Sequence, residues 1–576
     1  MKHFKYLTLL ILIYLISPLK ALAITDPLTF PNNRFGIHIV DPIDLTEASQ
    51  LVNSNGGDWG YITLVITQND RGTPKWQAIF DQLRRLHLVP IVRLATQLDG
   101  DNWKKPDEND INSWIDFLDR LNWVVKNRYV VIFNEPNQSK EWGGNLDPSG
   151  YANMLSKFSD QLKSKSPDFF ILPAGLDASA PNGIETMDEV LFLQKMKDTI
   201  PNIFDKIDGW TSHSYPNPGF SGSPYALGRG TIRTYLWEKK ILNSLGLNRS
   251  LPIFITETGW PHREGINFNY NFIPEIVSAQ YLKTAFTSVW TDDDIVAITP
   301  FVLNYQSYPF DNFSWKKPDR ETYYEEFNTI QQLSKVPGQP DQIVTINFDN
   351  NPVPSTLITD SDYTFEAQIK NTGQAIFAKE NGFDVKLTFE APLDIQNQIG
   401  WEVGDINSID PGKIGSVKIR IHTPLSAGHL KVNIFLFHKN DIIATYKNTQ
   451  VSLIEPPSLS FHVQTGLNDS SNADNFSLLI YDGNDNIVQK FPRLRVNKGH
   501  GEVVKLKNVV VGRPYRIVVQ KPYYLPRQEK LIFNQKNNFV SFKPMLPLDL
   551  DLDGRFTWDD YWIMIFHPIF VLSLLF

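Results

Sequence analysis

Two glutamates in this sequence each stand where an apolar run gives way to a polar loop. Glu135 follows the run in "YVVIFNEP", and Glu257 follows the run in "LPIFITETGW". If the fold brings them together, burial and mutual repulsion raise the pKa of one acid and leave the other ionised. Such a pair can protonate the leaving oxygen of a glycosidic bond and attack its sugar carbon. The alternative is that both form ordinary ion pairs at strand ends.

Eight strand-like runs between Phe35 and about Tyr305 must position these acids. They are "FGIHIV", "WGYITLVI", "VPIVRLAT", "YVVIFNEP", "FFILPAG", "DGWTSHSY", "LPIFITETGW" and "IVAITPFVLNY". Amphipathic stretches lie between them, and one has apolar residues at helical spacing, namely Trp76, Ile79, Phe80, Leu83 and Leu86. Near-continuous apolar strands that alternate with helices favour a parallel sheet covered on both faces. Eight such units predict an α/β fold, a (β/α)8 TIM barrel over residues 24–335.

The loops at the carboxyl ends of barrel strands form the functional site in this architecture. Glu135 comes at the end of the predicted fourth strand and Glu257 at the end of the seventh. These two strands face each other across the mouth of an eight-stranded barrel, so we expect opposed carboxylates. A separation of about 5 to 5.5 Å implies retention of configuration through a covalent intermediate, and about 6.5 to 9.5 Å implies inversion.

The region of about residues 34–330 resembles glycoside hydrolase clan A, the retaining barrel enzymes. The motifs "FNEPN" and "ITETGWP" carry the resemblance. In that clan the acid/base follows an asparagine at the end of strand four, and the nucleophile ends strand seven. The resemblance therefore implies acid/base duty for Glu135, nucleophile duty for Glu257 and a hydrogen bond from Asn134 to the sugar 2-hydroxyl.

Four further polar residues are candidates for contact with the sugar. His213 and Tyr215 lie two apart on predicted strand six, so they face the same way. The clan commonly has a histidine or tyrosine there, and Tyr215 could hydrogen-bond the nucleophile. His38 on strand one and Arg93 on strand three could also line the pocket. Equally, all four could be satisfied polar residues of a packed barrel interior.

The sequence departs from the clan in two places. Many members have an arginine near the end of strand two, where "WGYITLVI" has none. Arg93 is the candidate substitute, unless the strand count is shifted by one. Many members also have a tryptophan from strand eight under the central sugar, where this chain offers only Phe301 and Tyr305. Trp260 and Trp315 are the nearest tryptophans, and some aromatic face is expected to stack on the apolar face of a sugar.

The composition limits the possible function classes. The chain has 576 residues, 42% of them hydrophobic and 20% charged, with a net charge of −8. This is an ordinary globular composition with room for several domains, and it argues against a nucleic-acid partner. No cysteine is present, which excludes disulfides, thiol catalysis and thiolate metal sites.

The N-terminus has the order of a secretory signal. Basic residues, an apolar run and then "ALA" follow one another within residues 1–23. A retained membrane anchor is the alternative, although the apolar run is shorter than the roughly 20 residues that span a bilayer. We therefore expect a secreted or cell-surface protein.

Beyond Lys335 the sequence predicts two β-sandwich accessory domains. The polar, proline-containing "SKVPGQPDQ" is typical of a linker. Residues 343–453 alternate apolar and polar side chains between turn signals, which predicts an Ig-like β-sandwich. Residues 458–545 are also strand-rich, and "RPYRIVVQKPYYLPRQEKLIF" resembles transthyretin-like or carboxypeptidase-regulatory-like modules.

The segment 546–562 has the spacing of a calcium loop. In "DLDLDGRFTWDD" oxygen ligands alternate, and Gly554 stands at the sharp turn. The motif resembles a dockerin or EF-hand loop, although dockerins carry two repeats and one is found here. A plain acidic turn is the alternative. The predicted Ca²⁺ ligands are Asp549, Asp551, Asp553, the Arg555 carbonyl, Thr557 and Asp560. No cofactor is expected for catalysis.

Residues 563–576 form an apolar tail that is too short to span a bilayer comfortably. It could dip into a membrane, and so associate the protein with a cell surface, pack on the sandwich, or be a truncated end. The whole sequence predicts a secreted retaining glycoside hydrolase that cleaves O-glycosidic bonds. By resemblance, its substrate is a β-linked poly- or oligosaccharide.

Two rival functions use the same residues. One is a catalytically inactive carbohydrate-binding or adhesive surface protein, and the other is a transglycosylase. The presence of Glu135, Glu257 and Asn134 argues against the inactive protein, because drift would be free to remove them.

Overall fold

The computed structural model describes residues 24–447, 450–466 and 473–575. The predicted signal peptide, residues 1–23, lies outside the described residues, as does Phe576 at the end of the predicted tail. The chain divides into two compact units, Met1–Ile343 and Val344–Phe576. Both glutamates belong to the first unit.

Eight parallel strands form the centre of the first unit. They are β1 Gly36–His38, β2 Gly60–Thr67, β3 Leu88–Ala95, β4 Arg128–Ile132, β5 Phe169–Pro173, β6 Trp210–His213, β7 Ile253–Glu257 and β8 Ile295–Ile298. Strands β1 to β5 pair in order in one sheet, and β6 to β8 pair in a second. Parallel bridges between Phe35 and Ile298, and between Asp177 and His213, join the two sheets at both edges. The strands thus close into a ring, and the predicted α/β fold with parallel strands is confirmed.

A helix follows each strand of the ring. The helices are α1 Leu45–Val52, α2 Thr73–Arg85, α3 Ile111–Arg120, α4 Pro148–Lys165, α5 Glu189–Thr199, α6 Thr234–Ser244, α7 Glu275–Thr284 and α8 Glu325–Gln331. A π-helical turn, Ala285–Val289, continues α7, and a short hairpin pairs Leu98–Asp99 with Asn102–Trp103 between β3 and α3. Because every strand is followed by a helix, all eight strands end on the same side of the ring.

Burial explains why these runs form strands and helices. Strands β5, β7 and β8 are buried at every residue, since the interior of the ring covers one face and the helices cover the other. In α2 the apolar residues at helical spacing, Trp76, Ile79, Phe80 and Leu83, are all buried. The strands and helices share one hydrophobic core, which fixes where each strand ends.

The first half of the second unit has two sheets that contribute to one apolar cluster. One sheet pairs, in order, Ile346–Phe348, Asp362–Asn371, Ile414–His422 and Gly400–Val403. The other pairs Thr356–Ile358, Val451–Ile454, Gly428–His438 and Phe383–Glu390, with Asp441–Lys447 beside Gly428–His438. In Asp362–Asn371 exposed and buried residues alternate, as expected for a strand with one face on a core. A short helix, Leu393–Gln396, lies between two strands.

The second half of this unit has its own apolar cluster. Its strands form a sheet of His500–Val503, Ser458–His462 and Asn537–Ser541, and a sheet of Ile487–Val496, Ala473–Tyr481, Pro514–Lys521 and Tyr524–Ile532. Most neighbours are antiparallel, as predicted from the alternating pattern, but Ser458–His462 runs parallel to Asn537–Ser541. The assignment of two separate sandwich domains, 343–453 and 458–545, stays a prediction.

Two helices, Trp558–Phe566 and Pro568–Leu575, cover the described part of the predicted apolar tail, and the first begins within the predicted calcium-loop segment. The Phe570 ring lies 5.2 Å from the Tyr523 ring, and the Tyr524 hydroxyl donates to the Leu574 carbonyl. Other side chains stay in solvent, with Trp558 75% and Ile569 83% exposed. Of the helices in the described residues, none is both long enough and apolar enough to cross a membrane.

Glu326 in α8 makes the stability of the first unit depend on pH. Its side chain is fully buried, and burial raises the pKa of its carboxyl from 4.5 to about 8. Between these values the folded protein keeps a proton that the unfolded chain releases. The free energy of unfolding therefore falls as pH rises, by about 1.4 kcal/mol per pH unit. Glu326→Gln, which does not titrate, should lose this slope and be more stable than wild type above the folded pKa.

Chemical denaturation at a series of pH values spanning this range checks the prediction. Glu321→Gln is the matched control, because Glu321 is exposed and close in sequence, and it should follow wild type. A slope that survives unchanged in Glu326→Gln would show that other groups cause it.

Candidate active site

Glu135 and Glu257 meet in one pocket at the carboxyl end of the ring. Glu257 is the last residue of β7, and Glu135 stands three residues after the end of β4. One carboxylate oxygen of each, together with a ring nitrogen of His213, all lie within 4.8 Å of one another. The two side chains are 14% and 11% exposed. The structure thus brings together the two acids that the sequence predicts to converge.

The turn after β4 holds Glu135 in place. Phe133 and Glu135 have φ angles of 67° and 31°, which non-glycine residues adopt at a cost of about 1 to 3 kcal/mol each. The Glu135 amide donates to the Gly175 carbonyl, and the Glu135 carbonyl accepts from the Gln138 amide. The Glu135 side chain is also fixed, because its Oε2 accepts from Gln138 Nε2 at 2.9 Å. The turn therefore fixes both backbone and carboxylate.

His213, the last residue of β6, lies between the two acids. Its Nδ1 donates to Glu135 Oε1 at 2.7 Å and lies 3.8 Å from Glu257 Oε2. Burial alone lowers the pKa of His213, but the charge of Glu257 and the hydrogen bond to Glu135 outweigh it and raise the pKa above 6.5. Gly175 makes room for the ring, because a Cβ there would meet His213 Cδ2 at 2.2 Å. His213 thus favours the cationic form between two carboxylates.

Glu257 is held in its ionised form. Arg93 Nη1 donates to Glu257 Oε1 at 2.5 Å, and the Tyr215 hydroxyl donates to Oε2 at 3.1 Å. Burial by itself raises the pKa of Glu257, but the positive charges of His213 and Arg93 outweigh it and lower the pKa to about 2. The Tyr215 phenol keeps its proton, because burial and the charge of Glu257 raise its pKa. A carboxylate ionised at neutral pH can act as a nucleophile or a base.

Asn134 joins this network through both ends of its amide. Its Oδ1 accepts from the same Arg93 Nη1 at 2.7 Å, and its Nδ2 donates to Glu141 Oε2 at 3.3 Å. Burial and the charge of Glu135 raise the pKa of the Glu141 carboxyl to about 7. Neither Glu141 nor Gln138 is predicted from the sequence. The one available signal is their place in "NEPNQSKEW", directly after the motif.

The remaining predicted residues divide into two groups. His38 on β1 is buried beside the pocket, and burial together with the charge of Arg93 lowers its pKa to about 3. The Phe301 ring lies 5.1 Å from the His38 ring, so it too borders the site. Trp260 and Trp315 are only 2% and 3% exposed and belong to the hydrophobic core. Within the described residues, the Trp260 indole donates to the Gly222 carbonyl and its ring contacts Tyr281, so its partners are not the glutamates.

The predicted calcium loop is folded around its acids. One oxygen each of Asp549, Asp551 and Asp560 lie within 4.8 Å of one another. Asp560 Oδ1 accepts from the Leu550 amide at 2.6 Å, and Gly554, with φ of 85°, donates its amide to Asp549 Oδ1 at 3.1 Å. Burial, and then the charge of the neighbouring aspartates, raises the pKa of Asp549. A cation at this place would relieve that repulsion.

The chain matches no protein-family model, and it matches no curated protein in sequence. Several solved structures are similar to it. A GH39 β-xylosidase from Caulobacter crescentus has a TM-score of 0.37 and 12% identity, over 69% of this chain and 97% of that one. A glucosidase from Croceicoccus marinus has a TM-score of 0.38 and 10% identity, over 83% of this chain and 97% of that one. A family 51 α-L-arabinofuranosidase from Bifidobacterium longum has a TM-score of 0.36 and 9% identity, over 72% of this chain and 97% of that one. At these TM-scores the likeness decides nothing about the chemistry.

Arg93→Met tests what keeps Glu257 ionised. The change removes the cation beside Glu257 and keeps a long side chain, so burial is less opposed and the pKa of Glu257 should rise by about 1 to 3 units. ¹³C NMR of labelled glutamate carboxyl carbons across an acid titration measures this rise. Glu257→Gln identifies the resonance by its loss. If Glu257 titrates at the same pH in wild type and in Arg93→Met, then Arg93 does not set the charge of Glu257.

Proposed function

We propose that this protein is a retaining glycoside hydrolase of clan A type that cleaves β-linked poly- or oligosaccharides. One observation carries the proposal: in a pocket at the carboxyl end of the ring, oxygens of Glu135 and Glu257 lie within 4.8 Å of each other. Retaining glycosidases have their two carboxyl groups about 5 to 5.5 Å apart, because one acts as a nucleophile on the sugar carbon itself. An inverting enzyme needs a wider gap for a water molecule.

The electrostatics support the nucleophile role of Glu257, and the clan resemblance implies the acid/base role of Glu135. Glu257, with a pKa of about 2, is ionised and attacks the anomeric carbon. Glu135 protonates the leaving oxygen and later takes a proton from water. His213 supports this exchange, because its Nδ1–H donates to Glu135 and stabilises the charge that develops as Glu135 gives up its proton. The clan resemblance assigns Asn134 to the sugar 2-hydroxyl.

Aromatic contact with the sugar is assigned to residues after β8. Phe301 borders His38 and contacts the Phe310 ring at 5.4 Å, and Phe310 contacts Tyr305 at 5.5 Å. These rings are partly exposed, whereas Trp260 and Trp315 are not. Phe301 is therefore our candidate for the aromatic face under the central sugar.

The rest of the chain fits an exported modular enzyme. We propose that residues 1–23 direct export, that the two apolar clusters of the second unit are the cores of two β-sandwich accessory domains, and that the exposed aromatic side chains of the tail associate with a cell surface or membrane. Exposed apolar side chains of the tail such as Phe566 and Ile569 support the last point, and the exposed Trp562 stands directly before them, a residue type that prefers membrane interfaces.

Replacing each glutamate by alanine separates the two roles. With aryl β-glycosides as substrates, Glu257→Ala and Glu135→Ala should each lose at least about 10³-fold in kcat. Added azide should rescue both, and the products should differ. Azide replaces the nucleophile in Glu257→Ala and gives an α-glycosyl azide, whereas in Glu135→Ala it attacks the glycosyl–enzyme and gives a β-glycosyl azide. NMR of the products decides the anomer.

Three results would contradict the assignment. Binding of oligosaccharides without turnover in wild type favours the inactive carbohydrate-binding protein. Product lengthening at high sugar concentration favours a transglycosylase. The same azide anomer from both variants would mean that the roles of Glu135 and Glu257 are wrong. Asp394→Ala, an exposed change in the second unit, is the control and should keep full activity.

We also propose that the segment 546–562 binds one Ca²⁺ with a structural role. Carboxylate oxygens are the ligands that Ca²⁺ prefers, and a ligand that binds only the folded state stabilises it, by about 2.7 kcal/mol at 100 times its Kd. Thermal unfolding in excess Ca²⁺ and in chelator should therefore differ by several degrees. Asp549→Asn should lose this difference, and Asp394→Asn should keep it. Identical melting curves with Ca²⁺ and with chelator would favour the plain acidic turn.

A further inference from the structure

A third carboxyl group, that of Glu141, belongs to the pocket. It lies in the 3₁₀ turn Ser139–Glu141, and Trp142 follows it at once. Trp142 is fully buried, with its ring 5.9 Å from Phe133 and 5.5 Å from Tyr151. The Trp142 amide donates to the Ser139 carbonyl at 2.9 Å. The buried tryptophan therefore anchors the turn and fixes where Glu141 stands.

Glu141 contacts Asn134, the residue whose side-chain amide the clan resemblance assigns to the sugar 2-hydroxyl. Asn134 Nδ2 donates to Glu141 Oε2 at 3.3 Å, and Asn134 Oδ1 accepts from Arg93 Nη1 at 2.7 Å. An asparagine amide has one oxygen and two N–H hydrogens. With the oxygen bound to Arg93 and one hydrogen bound to Glu141, the amide plane is fixed, and the second N–H has no hydrogen-bond acceptor among the described residues.

We propose that Glu141 is a positioning residue that orients the Asn134 amide, so that its second N–H is aimed at the 2-hydroxyl of the sugar. This inference rests on the proposed function. Arg93 and Glu141 act as a pair on Asn134: the cation binds the amide oxygen and the carboxyl accepts from the amide nitrogen. Either partner alone would leave the amide free to rotate about its last side-chain bond.

The environment of Glu141 is unfavourable for a carboxylate, which argues that its place has a purpose. Besides burial, the charges of Glu135, Arg93 and Lys140 act on its carboxyl. Burial and the charge of Glu135 raise its pKa to about 7, with Arg93 offsetting part of the rise. A leucine would fill this space without that cost. Because both forms of the carboxyl can accept a hydrogen bond, the contact with Asn134 survives titration.

The alternative is that Glu141 only supports the turn. The two roles differ in what they predict for a substrate without a 2-hydroxyl. Orientation of Asn134 matters only if the sugar offers that hydroxyl, whereas a loosened turn would slow every substrate alike. The conservative variant also separates them, because Glu141→Gln keeps an acceptor oxygen and Glu141→Ala does not.

The test compares kcat/KM for an aryl β-glycoside and its 2-deoxy analogue in wild type, Glu141→Gln, Glu141→Ala, Asn134→Ala and the double alanine variant. We expect Glu141→Ala to lose about tenfold on the hydroxylated substrate and to match wild type on the 2-deoxy analogue. Glu141→Gln should recover most of the loss, and Glu141→Ala should add nothing in the Asn134→Ala background. An equal loss on both substrates, or additive losses, would overturn the proposal.

A spectroscopic readout is independent of turnover. In the full chain labelled with ¹⁵N-asparagine, the side-chain amide signal of Asn134, identified by its loss in Asn134→Ala, should shift with pH as Glu141 titrates. In Glu141→Gln that shift should disappear. Absence of hydrolysis in wild type would overturn the proposed function, and the amide signal would still decide whether Glu141 holds Asn134. A signal with the same pH dependence in wild type and Glu141→Gln would overturn the positioning role.

Discussion

The site depends on cations that hold two buried carboxylates together. Oxygens of Glu135 and Glu257 lie within 4.8 Å of each other with little exposure to water. Two like charges at such a distance in a poorly solvated pocket repel strongly, and burial penalises each of them. His213 bridges the pair, and Arg93 binds Glu257 from the other side. Without these groups burial would raise the pKa of Glu257, and Glu257 would not stay an ionised nucleophile at neutral pH.

The ring of parallel strands supplies this arrangement through its register. His213 on β6 pairs with Glu257 on β7 after a one-residue shift of register that follows Ser212, and this irregular pairing brings the imidazole beside the carboxylate. Arg93 pairs with Val131 on β4, four residues before Glu135. A slip of one residue in either pairing would turn the side chain to the other face of the strand. The extensive apolar core around the ring therefore serves the chemistry, because it prevents such slips.

Much of the fold and of the candidate site was predictable, because both depend on sequence patterns. The change from apolar run to polar loop marks Glu257 as a strand end and Glu135 as following one. His213 ends β6 as a residue of the predicted strand six, whereas Tyr215 lies beyond the end of that strand, so its contact with Glu257 comes from the loop. The role of Glu141 was not predictable, since it depends on the left-handed turn at Phe133 and Glu135. It depends also on the packing of Trp142 against Phe133 before it and Tyr151 after it. The same limit applies to Trp260 and Trp315. A tryptophan ring can stack on the face of a sugar, but packing against the core decides which rings are exposed. The local sequence does not show which rings the core covers.

The departure at strand two has a physical explanation in the same network. Val65 on β2 stands in register with Arg93 on β3, so the arginine of this chain lies on the strand next to the one where the clan resemblance implies it. A guanidinium has several donors on a long stem. Arg93 therefore reaches Glu257 and Asn134 with a single nitrogen. One cation thus couples the charge of Glu257 to the orientation of the Asn134 amide, so a change at Arg93 would disturb both.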